Sequence, residues 1–253
     1  MCTTVILYRP DHDWPLILGA NRDEMIQRPC KAPAHHWPDR PGVVGGLDLQ
    51  ANGSWLGVNA TGVAACILNR HGSLGPAEGF RSRGELVLEA LDHADATASA
   101  EALRRINPKA YRPFNMLIAD NENVFWLKHT EPTPSGGIIV TPVSEGLTML
   151  TAGEINDRES GRIRRYYPLF EQAAPPDPER NDYRAWEDLL ASTESGVEDG
   201  PSGAMRFVIS EKGFATVSSA LVMLPHTGKG GNEPRFRFTT WLPQPEPWRE
   251  VWD

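Results

Sequence analysis

Two periods of apolar residues run through the chain, one of strands and one of helices. The run Thr3 to Tyr8 predicts a first strand, and Leu16 to Asn21 a second that ends in a polar turn, Asn21-Arg22-Asp23-Glu24. Trp55 to Val58 and Val63 to Asn69 flank the turn signal Asn59-Ala60-Thr61-Gly62, which predicts a hairpin. A second hairpin is expected from Asn115 to Asp120 and Val124 to Lys128 about Asn121-Glu122-Asn123, with further strands near Gly137 to Val140 and Leu147 to Thr151. The last strands are predicted at Ala204 to Ser210, Phe214 to Leu224 and Arg235 to Trp241.

The helical period enters at Ser82-Arg83-Gly84-Glu85, whose spacing is that of a capping box, with Leu86, Val87 and Leu91 behind it. A shorter helix is expected from about Ala100 to Ile106, stopped by Pro108. Two more are predicted: Gly161 to Ala173, with Ile163, Tyr166, Leu169 and Phe170 inward, and Tyr183 to Ser192, with Trp186, Leu189 and Leu190 inward. Strands and helices thus arrive in blocks. That order predicts an α+β fold of two antiparallel sheets with helices segregated outside them, not alternating parallel units. The Pro/Gly-rich breaks at 72–79, 174–181 and 225–234 have loop lengths and part no self-sufficient sets of elements, so one domain over 1–253 is expected.

Charge and composition narrow the function. With 25 basic against 33 acidic residues the net charge is −8, and no basic stripe offsets it, which disfavours nucleic acid as a partner. No apolar run approaches the roughly 20 residues of a membrane span, and the start has no basic leader, so a cytoplasmic protein is expected. Three cysteines, Cys2, Cys30 and Cys66, are an odd number without metal-ligand spacing, which fits a reducing compartment. His35-His36 lacks a third ligand, so no metal site is expected. Gly45-Gly46 and Gly230-Gly231 lack the context of a phosphate loop and are assigned to turns. Trp14, Trp37, Trp55 and Trp126 read as core or loop anchors, with the lining of a ligand cleft as the alternative.

Cys2 is the main chemical signal. A small second residue usually lets an aminopeptidase remove Met1, which leaves a cysteine carrying a thiol and a free α-amine. An amine with a pKa of about 8 can act as base toward its own residue's thiol, so nucleophile and base share one residue. The second strand brings Asn21-Arg22-Asp23-Glu24 to the same end, where a carboxylate can hold the ammonium and an arginine can favour the thiolate.

Met1-Cys2-Thr3, Asn21-Arg22-Asp23-Glu24 and Arg28-Pro29 resemble the signature of the NRDE family, the transport and Golgi organisation 2 protein-like group. Gly53-Ser54-Trp55-Leu56-Gly57, Ser82-Arg83-Gly84-Glu85-Leu86, Pro113-Phe114-Asn115 and Val217-Ser218-Ser219-Ala220-Leu221 extend the resemblance over nearly the whole chain. That family is similar to N-terminal-nucleophile hydrolases of the choloylglycine hydrolase and penicillin V acylase type. The resemblance implies a four-layer αββα sandwich and cleavage of linear amides. It implies Cys2 as nucleophile, Asp23 as the aspartate that orients its amine, and Asn69 as a donor to the oxyanion.

Two positions depart from those hydrolases. They have an arginine directly after the glycine of the second strand, where this chain has Ala20; Arg22 shares that face about 7 Å along the strand. In Met149-Leu150-Thr151-Ala152 an alanine stands where an asparagine is expected. Asn156 and Asp157 either replace that asparagine at a bulge or cap a helix beginning near Arg158, and the cap is favoured. The basic run Arg158, Arg162, Arg164 and Arg165 reads as a charged helix face, with anion binding as the other reading.

Two functions follow as expectations. The first is an amidohydrolase with Cys2, Asp23, Arg22 and Asn69 in the reaction, Asn21, Trp55, Asn156 and Arg165 contacting a small acyl or amide substrate, and no cofactor. The second is a non-catalytic carrier of haem or lipid on the same fold, for which Cys2 or a histidine is the candidate axial ligand. Specificity is expected in the loops 30–45, 71–80 and 225–234.

Overall fold

The computed structural model describes residues 2–130, 137–226 and 233–252. Among them the strands are β1 (Thr3–Tyr8), β2 (Leu16–Met25), β3 (Cys30–Ala34), β4 (Val43–Asp48), β5 (Leu56–Asn59), β6 (Ala64–Asn69), β7 (Phe114–Ala119), β8 (Val124–His129), β9 (Ile139–Pro142), β10 (Gly146–Leu150), β11 (Val208–Ile209), β12 (Phe214–Leu224), β13 (Arg235–Thr240) and β14 (Arg249–Glu250). The helices are α1 (Gly84–Leu91), α2 (Ala96–Arg104), α3 (Gly161–Gln172) and α4 (Arg184–Ala191). The result is α+β, with two antiparallel sheets and four helices.

The chain gathers into two compact units, Met1–Gln27 with Glu145–Asp253, and Arg28–Ser144. The first carries a sheet in the order β10-β1-β2-β12-β13-β14, with β11 on β12. Alternate residues of its central strands, Val5, Ile17, Met149, Leu221 and Met223, pack on Ile163, Tyr166 and Phe170 of α3 and Trp186 and Leu190 of α4. Gly19 permits that closeness, because a Cβ there would lie 3.3 Å from the Trp186 ring. The second unit runs β3 to β9 in chain order, and its core joins Val63, Ala65, Met116 and Leu127 to Leu86, Val87 and Leu91 of α1 and Ala100 and Leu103 of α2.

Several expectations change. Asn21-Arg22-Asp23-Glu24 is not a turn, for β2 continues to Met25 because β12 pairs along it as far as Phe214↔Met25. Gly45 and Gly46 belong to β4, in a stretch read from sequence as loop; a Cβ on Gly46 would meet the Trp55 ring at 2.2 Å, so the missing side chain is what lets that ring lie across the strand. Ser82 does not close a capping box. Its Oγ accepts from the Gly84 amide at 3.2 Å, while the Glu85 carboxylate turns to Tyr111 Oη (2.6 Å) and Arg81 (2.7 Å). Leu169 is exposed, at the margin of the stripe formed by Ile163, Tyr166 and Phe170. The strand expected at Ala204 to Ser210 shrinks to Val208–Ile209, since Met205 O and the Phe207 amide both face the Thr216 hydroxyl. Gly230-Gly231, with most of 225–234, and Met1 lie outside the described residues.

Candidate functional site

The β1–β2 ladder runs from Tyr8↔Leu16 to Thr3↔Asn21 and stops. One step beyond, the Asp23 main chain meets the Cys2 side chain: its amide nitrogen lies 3.3 Å from Sγ, and Sγ lies 3.5 Å from its carbonyl oxygen. On the other edge of β2 the ladder to β12 shifts register between Thr216 and Ser218, the partners of Asp23 and Arg22. Asp23 therefore sits beyond the end of the β1 ladder on one edge and, paired with Thr216, next to the register shift on the other.

Strand alternation sends the Asn21 and Asp23 side chains toward the helices and those of Arg22 and Glu24 to the opposite face. The Asp23 carboxylate is buried. Arg162 Nη1 of α3 donates to its Oδ2 at 2.9 Å, and Thr216 Oγ donates to its Oδ1 at 2.7 Å. The same Arg162 nitrogen donates to Thr3 Oγ at 2.5 Å, Nη2 donates to Ser202 O at 2.9 Å, and the guanidinium lies over the Phe207 ring. Side-chain exposure is 4% for Arg162 and 0% for Asp23, so each charge depends on the other for the solvation that water would have given. Asn21 is equally committed: its amide donates to Leu190 O (2.9 Å) and Met205 O (2.8 Å), and its oxygen accepts from Ser219 Oγ (2.6 Å). It anchors α4 and the 205 segment to the sheet.

Burial first, and then the Asp23 charge, pushes the Cys2 thiol up to about 11, against the opposing pull of the Asp23 N–H. In this state the thiol is neutral at pH 7.

Arg22 is buried on the face of Ala20, with Nη2 4.0 Å from Glu24 Oε2. The ladder of β1 and β10 ends at Thr4↔Leu150, and Ala152, fully buried, stands two residues beyond it in place of the expected asparagine. Asn156 does not cap α3, whose cap is Ser160. With φ 55 it turns back on β10, where its Oδ1 accepts from the Met149 amide (2.7 Å) and its own amide donates to Met149 O (2.8 Å). Arg165 is partly exposed and pairs with Glu194 at 2.6 Å; Arg164 pairs with Asp199 at 2.9 Å. Of the basic run only Arg162 enters the site. Helical phase marks it, since Arg162, Tyr166 and Phe170 fall four residues apart on the buried stripe. Asn69 and Trp55 belong to the second unit: Asn69 ends β6 opposite Phe114, and Trp55 is half-buried over Gly46.

Among the described residues no group of three or more His, Cys, Asp or Glu is arranged to hold a metal ion. Trp14, Trp37 and Trp126 are buried. At the far end of β1 a cleft of about 860 Å³ is lined by His12, Trp14 and the 174–178 segment, with the charges of Arg9, Arg180 and Arg184 beside those of five carboxylates.

No described helix is long and apolar enough to cross a membrane. The fold is that of solved N-terminal-nucleophile hydrolases. An N-acylethanolamine-hydrolyzing acid amidase ortholog from Caenorhabditis elegans superposes with a TM-score of 0.57 at 14% identity, over 87% of this chain and 92% of that one. A mutant of the conjugated bile acid hydrolase from Clostridium perfringens gives 0.56 at 14% identity, over 99% and 92%. In sequence, the Transport and Golgi organization 2 homolog of Mus musculus is 32% identical over 146 residues, 53% of this chain; the chain spans 50% of that relative's length. Residues 1–226 match the pattern of the Transport and Golgi organisation 2 family, and the chain belongs to that family.

Proposed function

We propose that this protein is an N-terminal cysteine amidohydrolase acting on a linear amide. Removal of Met1 frees the α-amine of Cys2, which takes the thiol proton. The thiolate attacks the carbonyl carbon, an Sγ–C bond forms, and the carbonyl oxygen becomes an oxyanion for which Asn69 is the proposed donor. The C–N bond then breaks as the ammonium returns its proton to the departing amine, and water hydrolyses the thioester to a carboxylic acid and the free thiol. Asp23 acts mainly through its main chain on Sγ, and Arg22, on the other strand face, offsets negative charge there.

The observation that carries this reading is the placement of Cys2 Sγ against the Asp23 amide and carbonyl at the paired ends of β1 and β2. The shared fold with proteins named as an amidase and a bile acid hydrolase supports it. The test is intact-mass spectrometry of the purified protein before and after limiting iodoacetamide, with peptide mapping, followed by a screen of N-acyl amines and amino-acid conjugates against Cys2→Ser. Loss of the Met1 mass, preferential alkylation of Cys2 and turnover abolished in the variant are expected. Retained Met1, or a Cys2 no more reactive than Cys30 and Cys66, would overturn the reading.

The 860 Å³ cleft favours a second reading, a carrier of small ligands, because it has the volume of a small-molecule pocket. Arg9, Arg180 and Arg184 line that cleft together with five carboxylates, so it offers partners both to the propionates of a porphyrin and to a cationic amphiphile. Dialysis with a fluorescent acyl amine and with haem separates the two ligands.

A further inference from the structure

We propose that Arg162 is the positioning residue of the Cys2 centre, fixing from the helix side of the sheet the stretch of main chain that holds the thiol on the other. The inference rests on the reading of Cys2 as the reactive group and extends it to a residue 139 positions from Asp23 and outside the motifs of the family signature.

A residue inside a sheet is fixed by ladders on both edges, but at Asp23 the β1 edge is open beyond Thr3, and the β12 edge, where Asp23 pairs with Thr216, adjoins the register shift between Thr216 and Ser218. The Asp23 amide and carbonyl nevertheless have to keep their positions 3.3 and 3.5 Å from Sγ. On the edge that β1 leaves open the side chain adds what the ladder does not, gripped by Arg162 at Oδ2 and Thr216 at Oδ1. Arg162 also donates to Thr3 Oγ, on the residue next to Cys2, so one planar guanidinium ties together the two strand ends that meet at the thiol. Ser202 O, which accepts from Nη2, and the Phe207 ring beneath the guanidinium settle the fork in place. Arg162 has an electrostatic effect as well. It offsets the Asp23 charge, which would otherwise oppose ionisation of the neighbouring thiol.

The experiment is the rate of Cys2 alkylation by iodoacetamide across pH, read by peptide mapping with Cys30 as internal control, in the wild type, Arg162→Lys and Arg162→Gln. Arg162→Gln is expected to slow Cys2 about tenfold at about pH 8.5 and raise its midpoint by about one unit, with Cys30 unchanged. Arg162→Lys, which keeps the charge without the fork, is expected to recover part of the loss. A folded Arg162→Gln protein whose Cys2 reacts as fast as the wild type, or faster, overturns the proposal. Should Arg162→Gln not fold, Thr216→Val releases the other carboxylate oxygen and is read the same way, with slowed Cys2 expected and an unchanged profile overturning it. Alkylation needs no substrate, so a protein that hydrolyses no amide can still pass this test, and an active one can still fail it.

Discussion

Cys2 touches Asp23 at the aspartate's main chain, with Sγ 3.3 Å from the amide nitrogen, while the carboxylate points through the sheet to the helices. Charge and contact are thereby separable. Asp23→Asn keeps the amide that faces the thiol but leaves Arg162 buried without its counter-charge, and is expected to cost about 3–5 kcal/mol of stability. Because the Asp23 charge holds the thiol up, the same variant is expected to lower the Cys2 midpoint in alkylation against pH. A loss below about 1 kcal/mol in urea unfolding would contradict the first expectation; a midpoint that rises would contradict the second.

Stability should fall on the alkaline side. Burial raises the Cys2 thiol from an ordinary value of 9.0 to about 11, and burial with the Glu85 carboxylate raises the Tyr111 phenol. Both groups hold their protons more tightly when folded, so their contribution is complete below the unfolded values and is lost as pH climbs through the folded ones. Urea midpoints are expected to stay level to about pH 8.5 and decline beyond about pH 9, with a shallower decline in Cys2→Ala. Identical declines in the two proteins would remove Cys2 from the explanation.

Gly53 and Gly84 are in main-chain contact, which joins two of the motif stretches. A Cβ on Gly53 would stand 2.5 Å from the Gly84 carbonyl carbon, and the Ser54 amide donates to Gly84 O at 3.0 Å. Backbone cannot step aside as a side chain can, so Gly53→Ala is expected to destabilise by about 2–3 kcal/mol. Thermal unfolding checks it, and an unchanged midpoint would show that the two segments separate freely.

Replacing Asn21 tests the claim that it is an anchor. Asn21→Leu strands two buried carbonyls, Leu190 O and Met205 O, at an expected cost of about 2–4 kcal/mol. The loss should appear in unfolding and in faster amide exchange of α4. A folded variant with wild-type stability but weaker substrate binding would instead make Asn21 a contact residue.

The apolar runs made β1 and β12 readable to the residue, because hydrophobic patterning alone defines a central strand. Asn21 to Glu24 looked like a solvated turn for a related reason. Its polar side chains are satisfied by partners 139 to 198 positions away, and no local window contains Arg162, Thr216 and Ser219 together. β3 and β4 were hidden because Gly45 and Gly46 carry a loop's composition while serving as the floor for Trp55. Arg162 was legible in part, through its helical phase with Tyr166 and Phe170, yet three neighbouring arginines that face outward masked it. The nearness of Cys2 and Asp23 was legible because the strands that deliver them are adjacent in sequence, but the carboxylate expected at the amine turns instead to Arg162 and Thr216, which no local pattern announces.

Asn156 has a consequence beyond its own turn. β10 is the outermost strand of its sheet, and an outer strand exposes amides and carbonyls on which a strand from another molecule can grow. By taking the Met149 amide with its side chain and the Met149 carbonyl with its main chain, Asn156 occupies the docking positions an incoming strand would need. A single residue, bent into a conformation asparagine tolerates, thus closes this part of the sheet edge to a further strand.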